Sequence, residues 1–98
     1  MLQEKAKKVC EALLDELDWL DRNNINEAIN ETVDSEVIYY KDCFPIAKEA
    51  DLRHLDKGLW QNAETFNEMM QAIAWAALNQ EVYNQIYENY PELEKLLK

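Results

Sequence analysis

Residues 65–91, TFNEMMQAIAWAALNQEVYNQIYENYP, decide the fold. Thr65 and Glu68 stand at the spacing of a capping box, in which a hydroxyl and a carboxylate satisfy the free amides at a helix start; Asn62 offers a slightly earlier start. Phe66, Met69, Met70, Ile73, Ala77, Leu78, Val82 and Ile86 then recur every three or four residues, the period of one helix face. No glycine or proline interrupts them before Pro91, which ends the helix near Asn89. Residues 92–97 add a last turn or two. A helix with this much apolar surface needs other helices against it, because isolated helices are marginal in water.

The rest of the chain supplies them. In residues 2–21, Leu2, Ala6, Val9, Leu13, Leu17 and Leu20 form a second apolar stripe, broken by Asn23-Asn24. Asn24 with Glu27 predicts a capped start for a short helix over about 25–32, with Ile25, Ala28, Ile29 and Val33 on its apolar side. Asp34-Ser35 offers a third N-cap, ahead of a helix over about 36–50 carrying Val37, Tyr40, Phe44 and Ala47. Val37-Ile38-Tyr39-Tyr40 also has strand propensity; helix is preferred because no partner strand is visible. Of the adjacent rings of Tyr39 and Tyr40, one is expected in the core and one outside. Pro45 either kinks this helix or splits it. Residues 51–61 are a connection, and Gly58, the only glycine, marks a backbone position with positive φ. The expectation is a single all-α domain over 1–98, a compact to elongated bundle of four or five helices with one long C-terminal helix.

Composition narrows the function. The 98 residues carry a net charge of −10, from twenty Asp and Glu against ten Lys and Arg, and 48% are hydrophobic. That is too apolar for a disordered acidic tail, and too acidic for direct binding to nucleic acid or an anionic membrane. No apolar run is long enough to span a membrane, and Met1–Lys5 lacks the apolar core of a signal peptide. Cys10 and Cys43 are far apart, with no CxxC, and read as reduced thiols of a cytoplasmic protein. One histidine and two cysteines make a zinc site improbable, and no cofactor motif is present.

The charge is segregated. Residues 11–36 hold Glu11, Asp15, Glu16, Asp18, Asp21, Glu27, Glu31, Asp34 and Glu36 with a single base, Arg22. Residues 62–94 hold Glu64, Glu68, Glu81, Glu88, Glu92 and Glu94 with no base. Glu11, Asp15 and Asp18 are spaced i, i+4, i+7, as are Glu27, Glu31 and Asp34. Four helical residues rise about 6 Å, so a carboxylate every turn imitates a row of phosphates, which advance about 3.4 Å each along a strand. Repeated like charges at i, i+4 cost a few tenths of a kcal/mol each. The plainer reading of these acids is a solvated face that keeps the protein soluble.

No catalytic motif emerges. Asp51, His54 and Asp56 bracket a histidine with carboxylates, a pattern better read as an ion-paired surface turn than as acid–base machinery. No serine lies near a histidine in the manner of a nucleophile, and no calcium-loop spacing occurs. Tyr83, Tyr87 and Tyr90 stand at i, i+4, i+7 and, with Trp60 and Trp75, form either a binding surface or half-buried packing.

The middle of the chain resembles the Ocr family, phage antirestriction proteins that mimic DNA. Asp34–Phe44, DSEVIYYKDCF, is similar to the family stretch D-x-x-V-(P)-x-Y-Y-x-D-x-F. Asp56-Lys57-Gly58-Leu59 is similar to its D-x-G-L, followed at matching distance by Phe66, Met69, Met70, Gln71, Ala72 and Leu78. The resemblance covers about residues 25–88. It implies an all-α protein without catalytic residues, whose carboxylates occupy the DNA groove of type I restriction–modification enzymes or related defence enzymes. It also implies a homodimer paired near Phe44 and Phe66, although Lys48, one turn from Phe44, opposes that packing. The proline after the valine is missing, and the family's strongly acidic tail has no counterpart in Glu94–Lys98.

The resulting expectation is a non-enzymatic inhibitor from a phage or other mobile element, acting in the bacterial cytoplasm on a basic DNA-binding protein. Its binding acids would be Glu11, Asp15, Asp18, Asp21, Glu27, Glu31, Asp34 and Glu36, helped by Glu64, Glu68, Glu81 and Glu88. The alternative is a helical protein–protein inhibitor, such as an anti-CRISPR, or an adaptor that binds through Trp60, Trp75 and the tyrosine stripe.

Overall fold

The computed structural model describes the backbone of residues 1–98 and every side chain except those of Tyr40 and Leu59. The assignment of Tyr40 to the apolar side of its helix, and of one Tyr39–Tyr40 ring to the core, therefore falls partly outside the described residues. Five α-helices follow one another: α1 (Leu2–Asp15), α2 (Ile25–Glu36), α3 (Tyr40–Glu49), α4 (Phe66–Asn89) and α5 (Pro91–Leu97). Short 3-10 turns at Leu17–Trp19, Leu52–His54 and Lys57–Leu59 join them. No strand occurs among the described residues, so 37–40 take the helical alternative only in part: α3 starts at Tyr40, after Tyr39 as its N-cap.

α4 begins and ends where its cap and breaker lie. The Thr65 hydroxyl accepts from the Glu68 amide at 3.1 Å, and Pro91 opens α5. At 1.5 Å per residue the helix is about 36 Å long, which sets the long dimension of a molecule measuring 40 × 23 × 21 Å. Ile73, Ala74, Ala76, Ala77 and Leu78 are all buried, so the middle of α4 is covered around most of its circumference rather than along one stripe. α1, α2, α3 and α5 all pack against it. Small side chains at 74, 76 and 77 permit their close approach. The rest of the core comes from Ala6, Val9, Cys10 and Leu13 of α1, Ile25, Ile29 and Val33 of α2, Val37 just after it, Cys43, Ile46 and Ala47 of α3, Val82 and Ile86 further along α4, and Leu93 of α5.

Several boundaries differ from expectation, each for a local reason. α1 stops at Asp15 rather than 21, because the Glu16 amide bonds to the Leu13 carbonyl at 3.0 Å and tightens the chain into the Leu17–Trp19 turn. A three-residue spacing serves a 3-10 turn as well as an α-helix, so Leu17 and Leu20 still pack on the core. Asn24 precedes α2 but does not cap it with its side chain. Its Oδ1 accepts from the Asp21 amide at 2.8 Å, and its Nδ2 donates to the Trp19 carbonyl at 2.8 Å. α2 continues through Asp34-Ser35 to Glu36 because the hydroxyls bond backward: Thr32 Oγ1 to the Ala28 carbonyl and Ser35 Oγ to that of Thr32, each at 2.7 Å. Pro45 neither splits nor ends α3, which is continuous through it. Gly58 has no positive φ. Its amide instead donates to Asp56 Oδ1 at 2.9 Å, an approach so close that a Cβ would sit 3.3 Å from the same oxygen.

A polar ladder fixes α2 against α4. Tyr83 Oη donates to Asn26 Oδ1 at 2.6 Å, Asn79 Nδ2 donates to Asn30 Oδ1 at 3.0 Å, and the Trp75 indole N–H donates to Asp34 Oδ1. The rungs advance by four residues along α2 and retreat by four along α4, the register of two antiparallel helices. With one helical turn per 3.6 residues, the ladder residues lie between the buried stripe 25/29/33 and the outward stripe 27/31.

Two predictions follow from this packing. The Tyr83–Asn26 rung should show a coupling of about 0.5–1.5 kcal/mol in a double-mutant cycle of Tyr83→Phe and Asn26→Ala, read from urea unfolding; additive effects would mean the rung contributes nothing. Cys10 is a buried free thiol whose sulfur lies 3.8 Å from the Val82 carbonyl oxygen. Burial, with help from Glu11 and Glu81, pushes this thiol from 9.0 up to about 11. The unfolded chain therefore loses its Cys10 proton first as pH rises, and stability should fall between about pH 9 and 11. Cys10→Ala should make that part of the stability-versus-pH curve shallower, with a remainder left by buried Cys43 and by Tyr83 and Tyr90, whose groups burial also pushes up.

Candidate functional site

α2 presents the most regular set of acids. Glu27, Glu31 and Asp34 are all exposed and lie within one continuous helix. The core stripe and the ladder fix the rotation of α2, so Glu27 and Glu31 face outward by construction, while Asp34 stands at the edge toward α4, where it accepts from the Trp75 indole N–H. Two open grooves flank it. One is lined by Glu16, Trp19, Leu20, Asn24, Glu27, Ala28 and Glu31; the other by Asp34, Val37, Ile38, Glu68, Gln71, Ala72 and Trp75. The shared helix joins them, giving a rim that runs Glu16, Glu27, Glu31, Asp34, Glu68. Among the described residues, no base lies within ion-pair distance of any of these five.

The other acids divide. Glu11, Asp15 and Asp18 do not share one α-helical face, because α1 ends at Asp15 and Asp18 sits in the following 3-10 turn. Glu11 is also within 3.9 Å of Lys7. Asp21 is exposed, but its Oδ1 accepts from the Asn23 and Asn24 amides at 2.7 and 3.0 Å. Glu36 departs furthest from the expected role. Its side chain is 18% exposed, and its oxygens lie 3.0 Å from Lys5 Nζ and 3.9 Å from Lys8 Nζ, so it braces α2 to α1 and adds little to the negative surface. Glu64 and Glu68 are exposed at the start of α4, where Glu68 Oε2 accepts from the Glu64 amide at 2.9 Å. Carboxylates there also suit the positive end of the helix dipole. Glu81 and Glu88 line a separate groove with Glu4 and Lys7.

The histidine segment is an ion-paired surface turn. Asp51 accepts from Arg53 Nε and Nη2 at 3.0 and 2.9 Å and lies 3.4 Å from His54 Nε2. The Arg53 contacts hold its carboxyl down at about 2. No group of three or more His, Cys, Asp or Glu side chains converges as a metal cage among the described residues. Among the described residues, no helix is long and apolar enough to cross a membrane.

The aromatic stripe is not one surface. Tyr83 and Tyr90 are half-buried against the core, as are Trp60 and Trp75, whereas Tyr87 is exposed. Burial raises the Tyr83 and Tyr90 hydroxyls above their ordinary range. Besides Tyr87, the large exposed apolar side chains described lie outside the stripe, among them Trp19, Ile38, Tyr39, Leu52 and, at 55% exposure, Phe66. Phe44 is partly exposed with the Lys48 ammonium 5.7 Å from its ring centroid, so the lysine covers the ring rather than only repelling a partner. Trp19 was legible in principle: Leu17 and Leu20 carry the apolar spacing, and a tryptophan between them falls on the opposite side.

Comparison with protein-family models, with curated proteins and with solved structures finds no match.

The two kinds of acid should separate in mutagenesis. Glu36→Gln breaks a half-buried pair and should cost about 1–2 kcal/mol of unfolding free energy, between the values for exposed and buried pairs. Glu31→Gln relieves a like-charge pair with Glu27 and should leave stability within about 0.5 kcal/mol, or raise it slightly. Denaturant unfolding at low salt measures both.

Proposed function

We propose that the chain is an acidic decoy that competes with DNA for the binding groove of a type I restriction–modification enzyme or a related bacterial defence enzyme. The observation that carries this reading is the rim Glu16, Glu27, Glu31, Asp34, Glu68, which makes no ion pair among the described residues and whose α2 portion is rotationally fixed by the core and the ladder. Successive carboxylates on α2 rise by about 4.5–6 Å, a spacing a groove lined for phosphates can engage. A fixed negative surface accelerates encounter with a basic channel and is screened by salt. The resemblance to Ocr proteins over about 25–88 supports the same reading, and with it an origin in a phage or mobile element and action in the bacterial cytoplasm. No catalytic step is part of this function.

A second reading draws on the exposed Ile38, Tyr39 and Phe66. They suit an apolar contact, either a homodimer through the Phe44 and Phe66 region or a protein partner bound independently of charge.

The test is inhibition of DNA binding by a purified type I restriction–modification enzyme across a salt series. Inhibition should be strongest at low salt, weaken as salt rises, and be reversed by competitor DNA. A variant carrying Glu16→Gln, Glu27→Gln, Glu31→Gln, Asp34→Asn and Glu68→Gln should lose roughly tenfold or more in potency, since each exposed pair contributes about 0.2–1 kcal/mol. Full potency in that variant, or salt-tolerant inhibition, transfers the function to the apolar surface.

A further inference from the structure

Trp19 is 80% exposed, the most exposed large hydrophobic side chain described. An indole left in water forfeits the free energy of burying a large aromatic surface, so its environment is informative. The loop that carries it is tightly held. Asn24 Nδ2 donates to the Trp19 carbonyl at 2.8 Å, and the Trp19 amide donates to the Glu16 carbonyl at 2.9 Å. Asp21 Oδ1 accepts two further loop amides. The backbone therefore presents the ring from a fixed base.

Trp19, Leu20 and Ala28 supply the apolar part of the groove, and Glu16, Glu27 and Glu31 supply its charge. Arg22, the one base of the 11–36 segment, does not line it. An apolar occupant would strip water from three carboxylates without pairing them, which is costly. An anion would be repelled. A cation with a flat face suits both parts: guanidinium stacks on an indole and directs several N–H donors to carboxylates, whereas an ammonium is compact and strongly hydrated.

We propose that this groove is an arginine subsite. A guanidinium from a basic protein segment stacks on Trp19 while Glu27 and Glu31 accept its N–H groups. The inference rests on the acidic-decoy reading and adds to it the anchor residue and the kind of side chain it takes. It also separates the groove from a uniform phosphate imitation, which favours arginine only through its forked N–H donors and in which Trp19 has no part.

The test uses the full chain and labelled oligoarginine and oligolysine peptides of equal length, with a neutral apolar peptide as comparison, in anisotropy titrations at low salt. The wild-type protein should bind oligoarginine about fivefold more tightly than oligolysine, the scale of a partly desolvated cation–π contact. Trp19→Ala should remove most of that preference, leaving what the carboxylates give through the guanidinium fork, and Trp19→Phe should keep more of it. Glu27→Gln with Glu31→Gln should weaken both basic peptides. Circular dichroism checks that each variant folds, which the exposure of all three side chains favours. Equal affinities for the two basic peptides, or a preference that Trp19→Ala leaves undiminished, overturn the subsite and leave the acidic decoy standing. Tighter binding of the apolar peptide overturns the choice of occupant. Failure of the folded protein to bind either basic peptide overturns both the subsite and the decoy.

Discussion

The structure depends on covering α4. A helix whose middle is apolar around most of its circumference cannot be satisfied by one neighbour, and 98 residues leave little chain for the task. α1, α2, α3 and α5 are accordingly spent on surrounding it. Alanines at 74, 76 and 77 set how closely those helices approach, and Leu13, Ile29, Ile46 and Leu93 fill the space between. Because each surrounding helix turns its apolar side inward, its charges go to the outer surface. No charged or polar residue is buried among the described residues. The acidic exterior and the apolar mast are thus two aspects of one partition.

Much of this arrangement was legible from local signals. Thr65, Glu68 and Pro91 act through neighbours a few residues away, so α4 and α5 were placed closely from spacing alone. The other caps misled because a side chain that can cap can also do something else. Asn24 serves the turn before it, and Ser35 bonds back into the helix it was expected to follow. Proline at 45 is tolerated because α3 has packing on either side of it, from Cys43 and Ile46. Gly58 answers to a carboxylate pressing on its amide and not to an unusual φ, a distinction invisible in composition.

The candidate site divides along the same line. The α2 acids could be read from an i, i+4, i+7 pattern because the helix beneath them is real. The matching pattern on α1 failed because the helix ends within it. The pairing of Glu36 with Lys5 bridges 31 positions of sequence and is decided by how α1 crosses α2. The polar ladder was likewise out of reach: Asn26, Asn30 and Asp34 look like ordinary surface residues until Tyr83, Asn79 and Trp75 arrive from the opposite direction.

That ladder has a consequence for how the chain avoids misassembly. The apolar contact of α2, built on Ile25, Ile29 and Val33, nearly repeats after one turn, so apolar packing alone tolerates sliding by four residues. The rungs do not tolerate it. Sliding one way would set Asn26 against Asn79 and Asn30 against Trp75, leaving Asp34 and the Tyr83 hydroxyl without their counterparts. Three chemically different rungs therefore work like the wards of a lock, admitting one seating of two otherwise slippery surfaces. Beyond what each rung adds to stability, such a lock decides whether the outward acids fall at one set of positions or are blurred over several.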